Sequence, residues 1–434
     1  MIYSLRSIVW GIGIGGCLCT SGLAQNAVPK LRPSQLGVTD ESIHKLLDDP
    51  ELVSLTLRGG TFYGYDRVTV QGVKTLAKLK NLKKLGLLGM ELTDESLKLI
   101  GTMTALEELD LSGSSVTDDG LTHLKGLVNL KILRADLTGA GLVYLDHLSG
   151  IEEVDFTHSF RATQEHTKHL GRFSNLRRLH FPSQPPTDDT MAELSSLTRL
   201  ESLEINHCSD YGSIRGGLSA EGFSYLASFR ELTHLKLGDA YGITQASIEV
   251  IAKLENLSSL SLVVSNLDAT DFEQLGALEE LEKLILWGWI GNEKGELNFL
   301  SSLKELKYFR SNLDFNDRQF QSLCKVRSLT EVMIRSTQLS DDAQGRLSQF
   351  PLLTNLQLEG KGFGQCSLKS LRQLPELRSL GIHQGPLREL TANLGMLKQL
   401  KSLHLGYARN HSLTKVEIDQ LKSDLPDCQV HVSP

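Results

Sequence analysis

Residues 106–127 read LEELDLSGSSVTDDGLTHLKGL, and the period of the leucines changes halfway along. Leucines at 106, 109 and 111 have the spacing of a strand with one face in a core. Leucines at 121, 124 and 127 have the spacing of a helix with one buried stripe. Parallel strands cannot be joined by a hairpin, so a strand followed by a short helix is the unit that parallel pairing requires. In this unit Leu109 and Leu111 enter the core while Glu108 and Asp110 face out.

The unit recurs. With the first Leu of L-x-x-L-x-L as position 1, repeats 1 to 15 begin at Leu52, Leu82, Leu106, Leu130, Ile151, Leu176, Leu200, Leu232, Leu257, Leu281, Leu306, Leu329, Leu353, Leu377 and Leu400. Positions 1, 4 and 6 are apolar in every repeat except at Ser311. One repeat cannot bury its own apolar side, but stacked neighbours can. The predicted fold is therefore an α/β solenoid: a curved arc with a parallel concave sheet and short convex helices, about fifteen repeats plus partial end repeats.

Val116-Thr117-Asp118-Asp119-Gly120-Leu121 is the clearest copy of a turn motif that returns as Leu92-Thr93-Asp94-Glu95-Ser96-Leu97 and Val38-Thr39-Asp40-Glu41-Ser42-Ile43. With the leucine spacing, it makes the chain resemble the leucine-rich repeat family. The likeness is to the T-D-x-G-L type of exported bacterial proteins and to the cysteine-containing class. It covers nearly all of residues 36–432. Thr or Ser at 39, 93, 117, 138, 163, 187, 219, 244, 340 and 414 is expected to cap a helix, with acids in the first turn. Asn81, Asn129, Asn175 and Asn256 precede position 1, where a left-handed turn would suit asparagine. In the family, the small polar slot at position 9 satisfies backbone groups of the neighbouring turn. Here it holds Ser114, Ser159, Cys208, Ser265, Asp314 and Thr337.

The chain has 434 residues, 40% hydrophobic and 22% charged, with a formal net charge of -7. No basic excess recommends a nucleic-acid partner. Arg6, the uncharged run 8–19 and Gly22-Leu23-Ala24 resemble an export signal cleaved before Gln25. An uncleaved anchor helix, or lipidation of Cys17 after Ile14-Gly15-Gly16, are the alternatives. The expected domains are a signal peptide at 1–24, a linker and helical half-repeat cap at 25–51, the solenoid at 52–424 and a truncated strand cap at 425–434. No transmembrane span is expected in the mature chain. Of six cysteines, two lie in the signal. Cys208 fits the position 9 slot, Cys324 a helix core position, and Cys428 the terminal strand.

Charges on the exposed strand positions alternate in sign from repeat to repeat: Lys83 and Lys84, then Glu107, Glu108 and Asp110, then Lys131 and Arg134, then Glu152, Glu153 and Asp155, then Arg177, Arg178 and His180, then Glu201 and Glu204. This is either a self-compensating ladder or a recognition face for a partner of alternating charge. From repeat 9 the face turns apolar and aromatic. Val263, Ile285, Trp287, Trp289, Tyr308, Arg310, Met333 and Arg335 form the candidate partner-binding group, since exposed aromatics beside arginine match interface hot spots. Trp287 and Trp289 folding over to patch repeat 10, which lacks the T-D cap, is the competing expectation. Inserted loops at 61–66 and 209–216 add aromatic residues. His166 with His169, and His180, Glu204, His207 and His234, are the residues that could converge on a metal or hydrolytic site, but the first pair lacks a third ligand and His180, Glu204 and Lys236 fit the charge ladder equally well. No catalytic site, cofactor or metal is expected. The reading is an exported, non-enzymatic recognition scaffold for a protein or envelope macromolecule; the alternative is a structural or adhesive envelope protein.

Overall fold

The computed structural model describes residues 7–10, 39–49, 51–59, 68–136, 140–155, 168–181, 186–206, 218–238, 243–290, 295–385, 387–406 and 413–433. Two compact units divide the chain, Met1–Leu200 and Glu201–Pro434. In the first, the strands of repeats 1 to 6 are Ser54–Arg58, Lys84–Leu88, Glu108–Leu111, Ile132–Ala135, Glu153–Asp155 and Arg178–His180. Each pairs parallel with the next at equivalent repeat positions, as in Leu85↔Leu109 and Leu109↔Leu133. Ser7–Trp10, inside the expected signal, is a further strand parallel to Ser54–Arg58.

In the second unit the strands of repeats 7 to 15 follow the same rule. They run from Ser202–Ile205 through His234–Leu237, Ser259–Leu267, Lys283–Ile290, Tyr308–Asp314, Glu331–Arg335, Asn355–Glu359 and Ser379–His383 to Ser402–Gly406. Gln429–Ser433 then pairs parallel with the last of these.

The leucine register is the one the period demands. Every described residue at positions 1, 4 and 6 is at most 3% exposed, the maximum being Ser311. Ser311 is tolerated there because its hydroxyl accepts the Leu313 N–H at 3.1 Å. The α/β solenoid class is thus the observed one, built separately in each unit.

The crossovers differ from the expected uniform helices. Residues 121–127, the last seven of the stretch quoted at the outset, lie in and just after a 3-10 helix, Asp119–Gly126. Among the described residues, the crossovers of repeats 4, 5, 9 and 10 also contain 3-10 helices, Ala140–Leu145, Lys168–Arg172, Glu273–Ala277 and Asn298–Ser302. In a 3-10 helix, residues three apart eclipse one another, so a strict three-residue leucine spacing forms a straight buried row. Other repeats cross by α-helix, as in Asp94–Ile100, Asp188–Leu194 and Gln245–Ile251.

The T-D motif does more than cap. Thr187, Ser219, Thr244, Ser340 and Thr414 do accept N–H groups of the helix that each begins. The aspartates, however, reach into the next repeat. Asp94 accepts the Thr117 N–H at 3.0 Å and the Thr117 hydroxyl at 2.7 Å. Asp40 holds Thr69 in the same way, Asp118 accepts the Gly141 N–H, and Asp317 accepts the Ser340 N–H. The glycine of the motif then has a steric reason: a Cβ on Gly120 would sit 2.3 Å from Asp94 Oδ1. Thr138 and Thr163 lie outside the described residues.

The asparagine expectation is corrected. Among the described residues, Gln384 is the non-glycine with positive φ, so Asn81, Asn129, Asn175 and Asn256 are not left-handed. Instead, the side chains of Asn129, Asn175 and Asn256 donate to carbonyls one repeat back, at Thr104, Ser149 and Arg230. Position 9 has mixed outcomes. Asp314 accepts both the N–H and the hydroxyl of Thr337, whereas the buried Ser114 Oγ has no partner. Ser159 and Cys208 lie outside the described residues.

Candidate functional site

Two kinds of surface occur on the sheet face that carries positions 3, 5 and 7. In unit Met1–Leu200 it is ionic, and the charges pair across strands. Lys83 and Lys131 both reach Glu107, at 2.8 and 3.4 Å. Lys84 and Arg134 both reach Glu108, at 3.0 and 2.8 Å. Glu153, 5% exposed, lies between Arg134 and Arg178 and accepts from both. His180 faces Asp155 at 3.2 Å. Burial alone would raise the Glu108 carboxyl, but hydrogen bonds from Arg134 and Lys84 outweigh it and hold the group below its ordinary value. Glu107 is lowered chiefly by its hydrogen bond from Lys83. Glu107, Glu108 and Glu153 are thus each held by two cations of neighbouring strands, which makes this part of the face a charge ladder.

In unit Glu201–Pro434 the candidate group forms on the strands of repeats 9 to 12. The first three of these strands run 9, 8 and 7 residues, against 3 to 5 in repeats 1 to 8. Ile285, Arg310 and Met333 are direct cross-strand partners in one row. Lys283, Tyr308 and Glu331 form the row beside it, and Val263 pairs with Trp287. Val263, Ile285, Trp287, Tyr308, Arg310, Met333 and Arg335 are all half-buried. Trp289 lies within the strand Lys283–Ile290, and its side chain is outside the described residues.

Local backbone features place these side chains. Gly288, next to Trp287, has φ 110°, and a Cβ there would come within 1.9 Å of the Val264 carbonyl oxygen. Its N–H donates to Asn312 Oδ1 at 2.8 Å, which ties the strand end of repeat 10 to repeat 11. Between repeats 11 and 12 the register shifts after Arg310↔Met333, so that Asp314 faces Arg335. Such a bulge re-aims the side chains beyond it.

The chemistry of the group is cationic and aromatic. The Arg310 guanidinium lies over the Trp287 ring at 4.7 Å, and Lys283 Nζ lies over the Tyr308 ring at 5.2 Å. Trp287 is thus neither a free side chain nor fully internal packing. It is a half-buried platform with a cation on one face.

The other candidates separate. His180 is occupied with Asp155, Glu204 with Lys236 at 3.2 Å, and His234 Nδ1 with Thr233 Oγ1 at 2.8 Å. His166 and His207, and the loops 61–66 and 209–216, lie outside the described residues. Cys324, Cys366 and Cys428 are unpaired, and burial pushes the Cys324 thiol up to about 12, so Cys324 is a packed core residue and not a nucleophile.

A family model for a leucine-rich repeat region matches residues 57–332, more than half of the chain. This chain belongs to the leucine-rich repeat family. A leucine-rich repeat protein of Leptospira interrogans is 18% identical with a TM-score of 0.47; the match covers 90% of this chain and 86% of that one. An internalin (inlF) of Listeria monocytogenes is 19% identical with a TM-score of 0.43, covering 86% of this chain and 95% of that one. The functional domain of InlJ from the same organism, which includes a cysteine ladder, is 15% identical with a TM-score of 0.44, covering 86% and 72%. No curated protein matches the chain.

One cluster of this leucine-rich repeat protein escaped sequence reasoning. His404 and His431 stack at 4.8 Å on the last two strands, and His383 is close by. Burial lowers the His404 imidazole first, and the charges of His431 and His383 lower it further. Continuing the position 5 series past Met333 through Gln357, Gly381 and His404 to His431 would have found the stack.

Proposed function

We propose that this leucine-rich repeat protein is an exported, non-enzymatic recognition scaffold. It binds a protein or other envelope macromolecule through the group formed by Val263, Ile285, Trp287, Tyr308, Arg310, Met333 and Arg335. Leucine-rich repeat folds generally serve as interaction scaffolds rather than as enzymes. The single observation that carries the reading is the contrast between faces: in repeats 2 to 6 Glu107, Glu108 and Glu153 pair with Lys83, Lys84, Lys131, Arg134 and Arg178, whereas repeats 9 to 12 present half-buried aromatic and aliphatic side chains beside arginines. Central aromatic and arginine anchors are the usual source of interface energy.

Export rests on the leader-like residues 1–24, and N-terminal sequencing of exported protein should start at Gln25. No helix among the described residues is long and apolar enough to cross a membrane.

The test is capture from envelope extract with wild-type and Trp287→Ala baits, followed by identification, purification and rebinding of the partner. Trp287→Ala should weaken rebinding by about 2 kcal/mol or more and leave the melting temperature nearly unchanged. Unchanged rebinding with a lowered melting temperature would show Trp287 to be packing for repeat 10. A second reading, a spacer or adhesive element of the envelope, is favoured by the charge ladder, in which Glu107, Glu108 and Glu153 are already paired within the sheet. Binding to bulk envelope polysaccharide that is insensitive to Trp287→Ala would support it.

A further inference from the structure

Arg310 and Arg335 differ from the arginines of repeats 4 and 6. Neither guanidinium donates a hydrogen bond or joins an ion pair with any described residue, although each Nε is buried. A buried charged donor left without an acceptor is costly, and folded chains rarely keep two together without use for them. Acids do stand nearby, but they are engaged elsewhere. Asp314, which faces Arg335, accepts from Thr337; Glu331 accepts from Asn355 at 3.3 Å; Glu359, opposite Arg335, accepts from Gln384 at 3.1 Å. Stacking on Trp287 occupies the flat face of the Arg310 guanidinium and leaves its Nη N–H groups, which unlike Nε are not buried, available.

We propose, building on the recognition reading above, that Arg310 and Arg335 form the anion subsite of the patch. Its ligand is a carboxylate carried next to an aromatic or aliphatic group. The two arginines are on adjacent strands, offset by two residues, so their Cα atoms lie about 8 Å apart from strand spacing and rise. That separation lets two long side chains converge on one small anion. The ligand's apolar part would lie against Trp287, Ile285 and Met333, which share this face with the arginines. The local charge selects the class: Lys283, Arg310 and Arg335 are set against Asp314, Glu331 and Glu359. The balance is near neutral, so a monoanion that takes bidentate N–H bonds fits better than a phosphate dianion.

A side-chain carboxylate and a chain-terminal one share this chemistry. The probes are therefore N-acetyl-phenylalanine, N-acetyl-Asp-Phe-amide, the neutral N-acetyl-phenylalaninamide and phenyl phosphate. Each is titrated into the full chain while the arginine Nε–H and Trp287 indole N–H resonances are followed. At least one carboxylate probe should shift Arg310, Arg335 and Trp287 together and bind about tenfold more tightly than the neutral amide; which probe does so names the source. Arg310→Gln/Arg335→Gln should abolish that preference while the neutral amide still moves Trp287. Arg310→Lys/Arg335→Lys keeps the charge and should lose most of the preference. Equal binding of neutral and carboxylate probes at Trp287 would overturn the anion subsite and leave the patch standing. A tighter phenyl phosphate would overturn the carboxylate assignment. No shift at Trp287 from any probe would overturn the subsite, and if Trp287→Ala also left partner rebinding unchanged, the patch itself would fall.

Discussion

At the scale of single residues, the face that a side chain takes decides its worth. Leu109 is fully buried, and Leu109→Ala should cost about 2–5 kcal/mol in denaturant unfolding. A loss below about 1 kcal/mol would mean that the register is wrong. On the outer face, surface ion pairs contribute little as a rule, but Glu153 is buried between two arginines. Glu153→Gln should cost about 3 kcal/mol, because it leaves Arg178 and one arm of Arg134 without their anion. Glu108 sets the acid limb. Its folded-state carboxyl lies below its ordinary value of 4.5, so its contribution is complete above that pH and is lost as pH falls through the folded value. Acid titration of stability should therefore be shallower in Glu108→Gln than in the wild type; identical limbs would remove Glu108 from the ladder.

At the scale of elements, strands were legible and crossovers were not. A strand shows its buried side through a two-residue alternation, which leucines at positions 4 and 6 announce. A three-residue leucine spacing fits α and 3-10 geometry alike, so the hydrophobic pattern of residues 121–127 could not separate them. Likewise, Thr-Asp in sequence signals a cap, yet the bond from Asp94 to Thr117 spans two repeats and is visible only once they stack. This bond makes a specific prediction. Asp94→Ala should cost about 1–3 kcal/mol, since the Thr117 N–H and hydroxyl both lose their acceptor. Hydrogen exchange should quicken around the turn at 117–120 more than within the helix Asp94–Ile100. Faster exchange confined to that helix would return the motif to simple capping.

At the scale of the whole molecule, the periodic residues disclosed the repeat fold, and departures from the period pointed to the candidate site. Repeat 10 breaks the T-D cap where Trp287 enters, and the strands of repeats 9 to 11 lengthen at the same place. What composition could not disclose is which charges remain unpaired. Arg134 and Arg310 occupy the same position 5 slot, but one is flanked by Glu108 and Glu153 and the other by Ile285 and Met333. Pairing across strands depends on neighbours some two dozen residues away, so it emerges from register. The central claim is that this protein recognises its partner through repeats 9 to 12. Hydrogen exchange of the full chain with and without the purified partner tests it most directly. Protection should concentrate in Ser259–Leu267, Lys283–Ile290, Tyr308–Asp314 and Glu331–Arg335 and should disappear with Trp287→Ala. Protection centred instead on the charged strands Lys84–Leu88 to Arg178–His180, and unaffected by Trp287→Ala, would contradict it.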